Sequence, residues 1–81
     1  MIENQMKEVI GVLEMIKEDM SVPKNVKGTI DTTINSLNSR CEVSIRVDQA
    51  LQELGEISND PNIPAYTRVE ILNIISLLST D

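Results

Sequence analysis

Ile2, Met6, Val9, Leu13, Ile16 and Met20 follow one another at intervals of four and three, the spacing of a single helical face, and Ile10 widens that stripe. This pattern predicts a first helix. Ser21-Val22-Pro23 closes it, because proline disfavours helical geometry in the residue before it, and its fixed φ suits the first turn of a new helix. A second helix is therefore expected from about Pro23, with Val26, Ile30, Ile34 and Leu37 as its buried stripe. Gly28 and the β-branched Thr29, Ile30, Thr32 and Thr33 give it poor intrinsic propensity, so packing must hold it. Asn38 to Glu42 reads as a connector in which Ser39 and Glu42 have the spacing of a capping box. In the third helix Val43, Val47, Ala50, Leu51, Leu54 and Ile57 form the apolar face, and Glu42 and Arg46 form an i,i+4 ion pair. A turn over 58–63 contains Asn-Asp-Pro-Asn, and Pro64 opens a fourth helix rich in Val, Ile and Leu.

A shift of 41 residues superimposes the two halves. Ile2 falls on Val43, Met6 on Val47, Leu13 on Leu54, Ile16 on Ile57, Ile30 on Ile71, Ile34 on Ile75 and Leu37 on Leu78. Asp19 falls on Asp60 and Pro23 on Pro64, so Asp-x-x-(Val or Ile)-Pro recurs at both turns. There Asp bonds loop amides and Pro sets the next helix. The period lies in the HEAT and armadillo range, but two hairpins are too few for a solenoid. The expectation is an all-α, four-helix up-down bundle forming a single domain over 1–81, built from related hairpins at 1–38 and 43–79.

The halves differ mainly in helix four, where Gly28, Asp31, Thr33 and Ser36 become Val69, Leu72, Ile74 and Leu77. Helix four is then apolar around about three quarters of its circumference, with a narrow polar strip through Glu70 and Asn73. A helix of that kind is expected to be buried on more than one side. In a bundle this small, its surplus face is predicted to meet a second copy or another protein. Val12 and Met15 give helix one a smaller surplus, at positions where helix three has Glu53 and Glu56. The interface candidates are Val12, Met15, Val69, Leu72, Ile74 and Leu77, while Asp19, Pro23, Asp60 and Pro64 have a structural role at the turns.

Composition narrows the chemistry. The 81 residues include 25 Ile, Leu and Val, enough aliphatic material for a small core, but no His, Trp or Phe and a single Tyr. Without His, the Ser-His-Asp and Cys-His arrangements, His-ligated zinc and imidazole general-base catalysis are closed. Thirteen acidic against seven basic side chains give a net charge of −6, the opposite of a nucleic-acid or anionic-membrane footprint. Lone Cys41 cannot form an internal disulfide, and no apolar run approaches the ~20 residues of a membrane span, so a cytoplasmic location is expected. The three glycines are scattered and make no phosphate loop.

These features predict a non-enzymatic interaction or self-associating module without cofactor, catalytic site or metal. Two alternatives remain open. Acidic pairs such as Glu14/Glu18 or Glu53/Glu56 could hold a divalent cation or a small ligand, and the net charge could serve an acidic decoy for a basic partner.

Three stretches also carry a resemblance: Asp19-Met20-Ser21-Val22-Pro23-Lys24-Asn25-Val26, Val43-Ser44-Ile45-Arg46, and Ile57-Ser58-Asn59-Asp60-Pro61-Asn62-Ile63-Pro64 with Thr67-Arg68 and Asn73-Ile74. Together they resemble the small archaeal uncharacterised protein family numbered 0147, over nearly the whole chain. The resemblance implies an archaeal cytosolic protein with a compact bundle of helices, and it implies no activity. The chain departs from the family at Lys27-Gly28-Thr29, where members tend to carry basic and alanine residues, and at Leu72, where helix four often has Trp.

Overall fold

The computed structural model of the protein describes residues 3–79, in which four helices follow one another: α1 (Glu3–Glu18), α2 (Lys24–Leu37), α3 (Val43–Ser58) and α4 (Ala65–Ser79). Ile2, assigned by periodicity to the first stripe, lies outside the described residues. Each helix packs on its neighbour in sequence, α2 against α3 most extensively, and α1 meets α4 only narrowly. Among the described residues α1 does not meet α3 and α2 does not meet α4. The hairpins therefore close on each other as an up-down bundle, and equivalent helices do not stack.

The apolar stripes converge on one aliphatic core. Met6, Val9, Leu13 and Ile16 enter from α1, Val26, Ile30, Ile34 and Leu37 from α2, Ala50, Leu54 and Ile57 from α3, and Ile71, Ile74 and Leu78 from α4. Val22 and Ile63, from the two Asp-Pro turns, close the core at one end. Threonines in α2 are accommodated by back-bonding. The hydroxyls of Thr29, Thr32, Thr33 and Ser36 donate to the carbonyls of Asn25, Gly28, Thr29 and Thr32, at 2.9–3.3 Å. That geometry lets Thr33 sit fully buried beside aliphatic neighbours.

Several local expectations change. Met20 is not on the buried face of α1 but 95 % exposed, because the helix ends at Glu18 and the chain turns. Val43 is also exposed, since the first turn of α3 reaches past the end of the core. The N-cap of α3 is Glu42 without a side-chain cap bond, so Ser39 and Glu42 form no capping box. Arg46 turns away from Glu42, and its Nη1 donates to the Leu37 carbonyl at 2.9 Å. A guanidinium at the last carbonyls of α2 satisfies an orphan acceptor and complements the negative end of the helix dipole. The ion pair of the described residues is Lys17 Nζ with Asp31 Oδ1 at 2.8 Å, joining α1 to α2 across solvent-exposed side chains.

Two substitutions check this account by urea denaturation. Leu54→Ala empties a fully buried position and is expected to cost ~2–5 kcal/mol. Gly28→Ala is expected to add ~0.5–1 kcal/mol, because Gly28 lies inside α2 with helical φ and open space around a Cβ.

Candidate functional site

The two Asp-Pro turns lie together at one end of the bundle and carry the same local geometry. Asp19 Oδ1 accepts the Ser21 N–H and Asp60 Oδ1 accepts the Asn62 N–H, both at 2.8 Å. Each aspartate thereby fixes its own turn, and each proline carbonyl then accepts the first amide bonds of the next helix. The second carboxylate oxygens reach across to the opposite half: Tyr66 Oη donates to Asp19 Oδ2 at 2.7 Å, and Asn25 Nδ2 donates to Asp60 Oδ2 at 3.2 Å. Tyr66 and Asn25 are themselves 41 residues apart, so the cross-ties are equivalent under the repeat. In the second turn Arg68 adds bonds to the Ser58 and Asp60 carbonyls at 3.0 and 2.7 Å. Pro23 and Pro64 immediately precede α2 and α4. These four turn residues thus serve architecture and gather no reactive group.

The Tyr66 bond, followed by the Ser21 amide, holds the Asp19 carboxyl below its ordinary value of 3.8. The same bond holds the Tyr66 hydroxyl above its ordinary 10.0. Asp19 therefore contributes stability that is present above pH 3.8 and is lost as the pH falls through its lower folded value. Tyr66 contributes stability that is present below pH 10.0 and is lost as the pH rises through its higher folded value.

Helix four presents two further surfaces. Ala65, Val69, Leu72, Ser76 and Ser79 line its outer crest, all exposed, and none carries a charge. Val69 is 56 % and Leu72 49 % exposed, directly opposite the buried Ile71, Ile74 and Leu78. The other surface faces α1. Because α1 and α4 meet so narrowly, their seam leaves a groove of about 220 Å³ lined by Glu8, Val9, Val12, Glu70, Asn73, Ile74 and Leu77.

The predicted interface residues therefore divide. Val69 and Leu72 are on the crest, Leu77 and Val12 on the walls of the groove, and Met15, 67 % exposed, on the seam side of α1 one turn beyond Val12. Ile74 is corrected: at 2 % exposure it belongs to the core and forms part of the groove floor. A helix apolar on most sides offers no contrast by which sequence alone could tell Ile74 from Leu72.

The sequence pattern does not assign the groove's acids to a site. Glu70 and Asn73, the narrow polar strip of α4, lie along the seam, where Glu8 of α1 joins them. Their spacing was the missed signal, since Glu8-Val12-Met15 and Glu70-Asn73-Leu77 each follow one helical edge. Glu53 lies half-buried, 3.5 Å from the Ser36 hydroxyl, while Glu14, Glu18 and Glu56 are exposed. Among the described residues no three His, Cys, Asp or Glu side chains gather in a metal-binding arrangement. Cys41 is exposed in the α2–α3 turn, and no described helix is long and apolar enough to cross a membrane.

Residues 1–80 match the model of the uncharacterised protein family UPF0147. The chain belongs to this family. Its UPF0147 relatives include archaeal proteins from Sulfurisphaera tokodaii, 38 % identical with 96 % of this chain and 89 % of that protein covered, and from Methanosarcina mazei, 39 % identical with 91 % and 81 % covered. The fold also matches two crystal structures. One, of the unknown function protein MMP1188, has a TM-score of 0.89 at 39 % identity and covers 96 % of this chain and 90 % of its own. The other, of a UPF0147 protein from Thermoplasma acidophilum, has a TM-score of 0.87 at 34 % identity and covers 94 % and 91 %.

The cross-tie can be checked spectroscopically, because Tyr66 is the chain's single aromatic side chain. Its phenolate absorbance should titrate with a midpoint above 10.0, and Asp19→Asn should bring that midpoint down towards 10.0.

Proposed function

We propose that this UPF0147 protein is a non-enzymatic, cytoplasmic interaction module that self-associates through the crest of α4. The observation that carries this reading is the crest itself. Val69 and Leu72 stand half-exposed on a helix whose opposite side is sunk in the core, along a line of residues without charge. In a chain whose net charge is −6, two copies meeting along this crest bring no carboxylates of their own crest residues together. Ala65, Ser76 and Ser79 are small enough to let two such helices come close. Under a two-fold axis a single uncharged crest complements itself, residue facing residue. The lack of His and the scatter of the acidic side chains support a role in binding over catalysis.

Sedimentation equilibrium over a tenfold concentration range tests the reading. Wild type should behave as a dimer of the 9.0 kDa chain, and the double variant Val69→Asp/Leu72→Asp should be monomeric with its helical circular dichroism intact. A wild-type monomer throughout, or a dimer unchanged by the double variant, would overturn it.

A further inference from the structure

The groove between α1 and α4 has a different character from the crest. Its floor and walls are aliphatic, Val9 and Ile74 below with Val12 and Leu77 at the sides, and both ionisable residues that line it are glutamates, one from each helix. No cation lines it. Val12 packs against the core and is partly exposed, and Leu77 is 40 % exposed. A cleft of about 220 Å³ has room for one or two aliphatic side chains, and Glu8 and Glu70 flank whatever carries them.

From this combination we propose that the α1/α4 seam is a docking groove for a basic amphipathic helix on a partner protein. Leucine-type side chains of that helix would fill the space over Val9 and Ile74, and flanking Lys or Arg would meet Glu8 and Glu70. An apolar anchor surrounded by opposite charge is the usual division of labour at such grooves: packing supplies affinity, and charge supplies orientation and on-rate. A second copy of this chain is a poor occupant, because its own seam-side edges carry the same acids. The inference is independent of self-association, since it uses the seam side of α4 and leaves the crest free.

The test is a fluorescence-anisotropy titration of the full chain into a labelled model peptide of leucine and lysine, with leucines at i, i+3, i+4 and i+7, at low and at physiological salt. Saturable binding is expected, weakened as salt rises and absent for the same peptide with glutamate in place of lysine. Glu8→Gln/Glu70→Gln and, separately, Leu77→Asp should each weaken binding by about tenfold or more. Glu14→Gln/Glu18→Gln, which removes equal charge elsewhere on α1, should leave it unchanged, as should Val69→Asp/Leu72→Asp on the crest. Failure of the leucine–lysine peptide to bind at roughly 100 μM would overturn the proposal. So would equal losses in the two glutamine pairs, which would reveal attraction to net charge alone.

Discussion

Burial of aliphatic side chains in a core shared by all four helices is the interaction on which the rest of this structure depends. With no Phe or Trp in the chain, and Tyr66 exposed, the core is built from Ile, Leu, Val, Met and Ala, joined by the buried Thr33 and Thr67. A fully buried aliphatic side chain contributes about 1.5–3 kcal/mol, so a domain of this size must commit nearly every stripe position inward to offset the entropy of ordering its chain. The stripes of α1, α2 and α3 do this, while Met15 on α1 and Val43 and Ile45 at the start of α3 remain exposed. Helix four brings more apolar surface than one core can take, and the excess emerges on its crest and along its seam with α1.

The turns convert that core into a defined arrangement. Asp19 and Asp60 each use one carboxylate oxygen to close a local turn and the other to hold the opposite hairpin, through Tyr66 and Asn25. These exposed bonds add modest free energy, but their direction matters: they fix the entry of α2 and α4 relative to the partner hairpin. At the far end Arg46 caps the carbonyl of Leu37 and ties α3 to the end of α2. Among the described residues α1 and α4 meet only narrowly, and there the bundle is open enough to leave a groove. The groove we propose for docking thus lies where the packing is least complete.

Much of this was legible in the chain. Spacing by three and four marked the four helices, and the Asp-Pro pairs marked the turns, because both signals depend on neighbours within a few residues. Ile74 and Leu72 could not be told apart in that way, since both sit on a helix with little difference between its sides and only the position of the neighbouring helices decides which one is covered. Met20 continued the α1 stripe on paper, yet the Asx turn at Asp19 takes the backbone out of the helix before it. Arg46 was read as a partner of Glu42 one turn away, whereas the unsatisfied carbonyl at the end of α2 is the stronger attraction. The bond between Tyr66 and Asp19 joins residues 47 apart and requires the closed bundle, so no local pattern could announce it.

We propose the uncharged crest of α4 as the place where one chain meets another. Isotope-filtered nuclear Overhauser spectroscopy on a mixture of labelled and unlabelled protein addresses it most directly, because it registers contacts only between different molecules. Intermolecular contacts are expected from the methyl groups of Val69 and Leu72. Intermolecular contacts confined to another surface, or none at all from α4, would contradict it.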